Sequence, residues 1–281
     1  MLSYRHAFHA GNHADVLKHF VLSEVLAYYS GKGKPYWIID THAGAGLYAL
    51  DRGYATQNKE YLGGIGALWQ REDLPPPLAR YVDQVRACNP DGTLRFYPGS
   101  PQLARQTLQP ADRLRLFELH PGDVEILLEN FDGLGRQVRI EKLDGYAGLK
   151  ALLPPPTRRG VILIDPPYEE KQDYARVVDA LKDSLQRFAT GTYLLWYPLL
   201  QRPEPRLLQE RLGKLGLANW LHVALRVRTP SAEGPGMSGS GMFVINPPWI
   251  LPEKLQQTLP YLVDRLGQDD GAGFSLDFEI A

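Results

Sequence analysis

Asp165, Pro166, Pro167 and Tyr168 follow directly on the apolar run Val161-Ile162-Leu163-Ile164. The arrangement places a carboxylate, a fixed backbone turn and an aromatic ring at one point, because neither proline can donate to a sheet ladder. The Asp165 side chain and the Pro166 carbonyl are both acceptors, suited to the two hydrogens of an exocyclic amine. Tyr168 offers a flat surface for the attached ring, a contact worth about 1–3 kcal/mol per base. An amine such as adenine N6 is a weak nucleophile, since its lone pair is delocalised into the ring. Two acceptors on its hydrogens localise that pair and aim it at an electrophile. Asp165, Pro166 and Tyr168 are therefore the candidate catalytic group, and a plain strand ending in a proline turn is the alternative.

The elements that would position this group read as an open α/β sheet. The run before Asp165 predicts a buried parallel strand, and ligands in such sheets bind beyond the carboxyl ends of the strands. Tyr36 to Asp40 predicts the first strand. Thr41 to Gly46 predicts the loop after it, with Gly44 allowing close backbone approach to a ligand. Gly44 to Ala49 also fits the dinucleotide pattern G-x-G-x-x-A. Asp40, closing the strand just before the loop, argues instead for an S-adenosylmethionine site. So does the absence of a strand-ending acid about 20 residues on. Leu114 to Glu118 predicts a second strand, ending in an acid placed for two ribose hydroxyls. Val138 to Glu141 predicts a third, followed by Asp144 and Gly145 where a cofactor's adenine would lie. The fourth ends at Asp165, and Thr192 to Trp196, Trp220 to Val227 and Met242 to Asn246 follow. The expected fold is a seven-stranded, mainly parallel sheet whose seventh strand is antiparallel. Asn246-Pro247-Pro248-Trp249 also looks like an amino-methyltransferase motif, but an antiparallel strand would carry it to the opposite edge, so it is assigned a structural role.

Residues 1–11 read as an extended arm. Asn12 predicts a helix N-cap, with Asp15 three residues on, for a helix running to about Tyr29. Ser100-Pro101 predicts a second cap, which would leave a hydroxyl and backbone N–H groups for a carboxylate. About 70 residues separate Asp40 from Arg113, where a plain βαβ unit needs about 30. Residues 50–93 are therefore expected to be an inserted, mainly helical subdomain, with 1–49 and 94–281 forming the core. A last amphipathic helix over 252–266 and a loose tail after Gly267 complete the reading.

Composition sets limits. Cys88 is the single cysteine, which excludes a disulfide framework and a cysteine-based zinc site and suits a reducing cytoplasm. No apolar run approaches the about 18 residues of a membrane span, and the N-terminus lacks a signal-peptide core. His6, His9, His13 and His19 match no common zinc spacing, so no metal is expected. With a net charge of −1, any nucleic-acid contact must come from a local basic face.

Four stretches together resemble the RlmJ family over essentially the whole chain. They are residues 6–19, residues 40–46, Asp165-Pro166-Pro167-Tyr168, and Gly-Met-Phe-Val-Ile-Asn-Pro-Pro-Trp at 241–249. The Asp165 tetrapeptide is the motif of amino-methyltransferases, which act on adenine N6 or on amide nitrogens. The resemblance implies a Rossmann-like class I methyltransferase with a helical insertion, which methylates one adenine of 23S ribosomal RNA at N6. It implies that S-adenosylmethionine is held by His19, His42, Ser100, Glu118, Asp144 and Gly145, with Asp165 shared between cofactor and target amine. It places Tyr4, His6 and Lys18 on the substrate side. The expected substrate is protein-free or partly assembled 23S RNA, met by a cytoplasmic monomer. A DNA adenine or protein glutamine methyltransferase would use the same Asp165 motif. A nicotinamide oxidoreductase would share the glycine loop, and a non-catalytic RNA-binding module would need neither.

Overall fold

The computed structural model of the protein describes residues 5–230 and 236–280. A 3-10 turn at His6–Phe8 leads into α1 (His13–Gly31), β1 (Trp37–Asp40) and β2 (Leu47–Ala49). Then come α2 (Ala55–Asn58), α3 (Ile65–Trp69), α4 (Pro76–Arg86), β3 (Phe96–Pro98), α5 (Ser100–Thr107), β4 (Arg113–Phe117) and α6 (Pro121–Asn130). Next are β5 (Val138–Glu141), α7 (Gly145–Leu152), β6 (Gly160–Ile164), α8 (Asp173–Arg187) and β7 (Thr192–Leu199). The chain closes with α9 (Pro203–Gly213), β8 (Trp220–Arg226), β9 (Gly239–Ile245), α10 (Leu251–Leu266) and β10 (Gly273–Glu279).

Eight strands form one sheet in the order β10-β8-β9-β7-β6-β1-β4-β5. β5, β4, β1, β6 and β7 are mutually parallel, β9 runs antiparallel to β7 and β8, and β10 runs antiparallel to β8. From β1 the connections run first to one side and then to the other, so the crevice of this sheet opens at the carboxyl ends of β1 and β6. β6 is buried along its whole length. Its alternate residues feed two apolar layers, Val161 and Leu163 with α1 and α10, Ile162 and Ile164 with α7, α8 and α9.

α1 is the axis of the first layer. Every residue from Ala14 to Leu26 is buried, as befits a helix apolar around most of its circumference. Asn12 caps it by accepting from the Ala14 and Asp15 N–H groups, both at 3.0 Å. β2 and β3 pair antiparallel and bring together the two ends of the segment that holds α2, α3 and α4. Ile65, Leu68, Leu78, Tyr81, Val82 and Val85 of that segment join the same apolar layer as Leu17, Phe20 and Val21 of α1.

Two differences from the sequence reading have physical causes. The sheet has eight strands, not seven, because the tail expected to be loose forms β10 against β8. Phe274 and Leu276 alternate on one face of it beside Leu225 and Val223, a signal too short to stand out amid Asp and Gly. β9 begins at Gly239, ahead of the expected strand start at Met242. A Cβ on Gly239 would lie 2.1 Å from the Leu225 carbonyl oxygen, and one on Gly241 would lie 2.3 Å from the Tyr197 ring, so those glycines are packing residues.

Phe20 has no exposed surface in the α1 layer. Phe20→Ala is expected to lower unfolding free energy by about 3–5 kcal/mol in urea titrations, and a loss below about 1 kcal/mol would contradict this packing.

Candidate active site

Beyond the carboxyl ends of the parallel strands lies one cavity of about 520 Å³, within the about 300–1,000 Å³ of small-ligand sites. Its wall includes His6, Lys18, His19, His42, Gly44, Ser100, Glu118, Asp144, Gly145, Asp165, Pro166 and Tyr168. Elements far apart in sequence thus bring the candidate residues onto one surface. Tyr4 lies outside the described residues.

β6 delivers Asp165 and α1 delivers its partner. Lys18 Nζ lies 2.6 Å from Asp165 Oδ2 and 2.9 Å from Asp15 Oδ1, and Lys18 is buried. Burial alone would lower the lysine's pKa, but the two carboxylates carry it above its usual value. Asp15 Oδ2 lies 2.9 Å from His6 Nε2 and accepts the Gly11 N–H at 2.9 Å. Burial would raise Asp15, yet His6 and Lys18 hold it well below the carboxylate range. One ion cluster therefore ties the N-terminal turn, α1 and the end of β6 together.

The rest of the lining is built from backbone and acids. Gly44 has φ +58°, and a Cβ there would lie 2.2 Å from the Tyr48 hydroxyl. A Cβ on Gly145 would lie 2.2 Å from the Thr41 carbonyl oxygen. Both loops must be bare to pack as they do. Glu118 accepts from the Gly44 and His120 N–H groups, each at 2.7 Å, and burial pushes its pKa up. Asp144 caps α7 through the Tyr146 N–H at 2.8 Å and meets Arg176 at 2.9 Å. His42 Nδ1 lies 2.8 Å from Thr41 Oγ1, and His19 Nδ1 lies 2.7 Å from the Tyr97 hydroxyl.

Two expectations about geometry are corrected. Ser100 is the first residue of α5 and Gly99 is its cap. The Ser100 hydroxyl donates to Asp40 Oδ2 at 2.6 Å rather than standing free. Glycine takes the cap because a Cβ there would crowd the Tyr48 ring at 3.1 Å and the Gly46 carbonyl oxygen at 3.2 Å. Tyr168 is 2% exposed and its hydroxyl donates to the Trp196 carbonyl at 2.8 Å. Its φ of 51° turns the ring inward onto Tyr174, 4.4 Å between centroids, so little of its face is open for stacking. Trp196 is the aromatic residue that sequence reasoning missed. It lines the cavity, Lys18 Nζ lies 5.6 Å from its ring, and its buried Nε1 has no hydrogen-bond partner among the described residues. In sequence it is one more apolar residue in a strand, indistinguishable from core.

Asn246, Pro247, Pro248 and Trp249 line a different hollow, with Tyr28 and Thr192. Asn246 Nδ2 donates to the Ala189 and Gly191 carbonyls at 2.8 Å, closing the end of β9. Among the described residues no three His, Cys, Asp or Glu side chains converge as metal ligands would, and no helix is long and apolar enough to cross a membrane.

The residues present fit S-adenosylmethionine. Glu118 and Asp144 are acceptors that follow successive strands, the loops at Gly44 and Gly145 line the same cavity, and Trp196 Nε1 is a buried donor without a partner among the described residues.

Burial depresses His13 and His42 to about 4 and His19 to about 3, so all three are neutral in the fold. In the unfolded chain each takes up a proton near about 6.5, so each makes stability fall as the pH drops below that value. Asp40, pushed up to about 7 by burial, acts in the opposite sense, because the folded carboxyl keeps a proton that the unfolded one has lost. His13→Gln removes one imidazole from this balance. Its unfolding free energy in urea is expected to fall less steeply than that of the wild type between about pH 6 and pH 5; an identical slope would show that His13 is not held neutral.

Comparison with known proteins agrees with this architecture. A family model described as ribosomal RNA large subunit methyltransferase D, RlmJ, matches residues 33–278. Ribosomal RNA large subunit methyltransferase J of Escherichia coli is 48% identical over 266 residues, covering 95% of this chain and 94% of the relative. The Haemophilus influenzae protein of the same name is 44% identical over 279 residues, covering 99% of each. A crystal structure of a Legionella pneumophila protein superposes with a TM-score of 0.88 at 34% identity, covering 96% of this chain and 98% of that one. The sheet, with its single run of parallel strands and antiparallel β9, is the Rossmann-like class I methyltransferase fold. On these grounds the chain belongs to the RlmJ family of ribosomal RNA large subunit methyltransferases.

Proposed function

We propose that the chain transfers a methyl group from S-adenosylmethionine to the exocyclic N6 of an adenine in 23S ribosomal RNA. The observation that carries this reading is the Asp165-Pro166-Pro167-Tyr168 turn at the end of β6, set on the same cavity wall as Glu118, Asp144 and His19. The Escherichia coli and Haemophilus influenzae relatives are named as ribosomal RNA methyltransferases, which supports the substrate class.

Glu118 suits the cofactor's ribose hydroxyls, Asp144 and Gly145 its adenine, and His19, His42, Gly44 and the start of α5 at Ser100 its remaining polar groups. When bound, S-adenosylmethionine supplies an electrophilic sulfonium methyl group. Asp165 presents Oδ1 to the target amine while Lys18 holds Oδ2 at 2.6 Å. The Pro166 carbonyl is the second acceptor, and together they localise the N6 lone pair in fixed geometry. Tyr168 acts from beneath, holding Trp196 through its carbonyl, and Trp196 presents the open aromatic surface. His6 ties the N-terminal turn to the ion cluster on the cavity wall, and His6 and Tyr4 are assigned to the substrate. An unpaired adenine reaches such a cavity at least cost, since a base in a duplex must first be unstacked. With a net charge of −1, phosphates alone give modest affinity that falls with salt; the proposed substrate is protein-free or partly assembled RNA, and the proposed acting form is a monomer.

The purified protein incubated with labelled S-adenosylmethionine and protein-free 23S RNA is expected to yield labelled N6-methyladenosine. Asp165→Ala is expected to lower the rate by about 100-fold or more. Label on another base, or on DNA or protein in preference to 23S RNA, would contradict the reading.

A further inference from the structure

The cofactor wall carries one buried imidazole, His19, and one half-buried one, His42, and hydroxyl groups behind them settle which ring nitrogen of each bears hydrogen. His19 Nδ1 lies 2.7 Å from the Tyr97 hydroxyl, which lies 2.8 Å from the Tyr81 hydroxyl. Tyr81 and Tyr97 have no exposed surface, and neither makes any other side-chain hydrogen bond among the described residues. Three groups in a row can be satisfied in only one direction. Tyr81 donates to Tyr97, and Tyr97 donates to His19 Nδ1. The reverse direction leaves the Tyr81 hydroxyl hydrogen sealed in apolar surroundings without an acceptor, which native interiors avoid.

His42 is settled by the same reasoning with the opposite result. The Thr41 hydroxyl donates to the Leu163 carbonyl at 3.0 Å. Its single hydrogen is thereby used, so at the 2.8 Å contact with His42 Nδ1 it can only accept. Both rings are neutral in the fold, depressed by burial to about 3 for His19 and about 4 for His42. Each therefore has one N–H, and its position is determined by the hydroxyl behind it.

We propose that Tyr97, backed by Tyr81 of α4, is a positioning residue that fixes His19 with hydrogen on Nε2, while Thr41 fixes His42 with hydrogen on Nδ1. The cavity then meets its cofactor with two imidazoles of opposite character. His19 offers a donor, suited to the carboxylate of the cofactor's amino-acid part, and His42 offers an acceptor, suited to an amine or hydroxyl. This rests on the S-adenosylmethionine reading of the cavity and extends it, because it gives the segment between β2 and β3 a part in cofactor binding. α4 carries the outermost hydroxyl of the relay, so packing of that segment against α1 sets the polarity of a group in the cavity.

The test compares two ligands by calorimetry, S-adenosylhomocysteine and 5′-methylthioadenosine, which lacks the amino-acid part. Tyr97→Phe is expected to weaken S-adenosylhomocysteine about five- to tenfold and to leave 5′-methylthioadenosine unchanged. Tyr81→Phe is expected to act in the same direction by about two- to threefold. Equal weakening of both ligands would show a general packing defect and overturn the proposal, as would no change in either. Nitrogen-15 NMR of the wild-type histidine rings reads the tautomers without any ligand. Hydrogen on His19 Nε2 and on His42 Nδ1 supports the proposal, and the other tautomer at either ring overturns it. If the wild type binds neither ligand, the cofactor reading fails, and the NMR result still decides the relay.

Discussion

The architecture of the site depends on one buried cation. Lys18 lies on α1, inside the protein, and its ammonium is shared between Asp15 and Asp165. Removing such a group from water is costly, and the cost is offset only when the geometry is good on both sides. Losing one member of a buried cluster costs about 3–5 kcal/mol because it leaves the rest uncompensated. That penalty couples three parts of the chain. Asp15 also receives His6 and the Gly11 N–H, so the N-terminal turn, the helix start and the end of β6 meet in one cluster.

Around this cluster the fold does two further things. It brings acidic residues to the carboxyl ends of parallel strands, where Glu118, Asp144 and Asp165 face one cavity. The cavity wall also holds Asp15, Asp123, Glu169, Glu170 and Asp173, against Lys18 and Arg176. Such an excess of carboxylates suits a cationic group, and a sulfonium is one. It also strips loops of side chains at the points of closest approach. Gly44 and Gly145 pack with their backbones against Tyr48 and Thr41 at distances that admit no Cβ.

The residues of this cavity were legible in the sequence to the extent that their chemistry repeats with the strands. Glu118, Asp144 and Asp165 each follow a segment that reads as a strand, and a parallel sheet must bring such ends together. The antiparallel β9 and the remote place of Asn246 followed from the same topology. What escaped was whatever depends on side-chain direction. Tyr168 reads as a stacking surface, yet its left-handed backbone turns the ring into the core and Trp196 takes the open position. Ser100 reads as a cap, yet a buried Asp40 claims its hydroxyl. β10 was hidden because an edge strand needs only a few apolar residues, and Gly and Asp around it mimic a loose tail. The Tyr81–Tyr97–His19 relay joins residues 78 and 16 positions apart, and no local pattern announces such a contact.

The most direct test of the central claim is a crystal structure with S-adenosylhomocysteine and an adenine nucleotide bound together. The account predicts the purine beside Trp196 with its exocyclic amine hydrogen-bonded to Asp165 and to the Pro166 carbonyl, on the side facing the cofactor's sulfur. A purine amine bound away from Asp165, with the Lys18–Asp165 pair closed and no acceptor offered to the ligand, would contradict it.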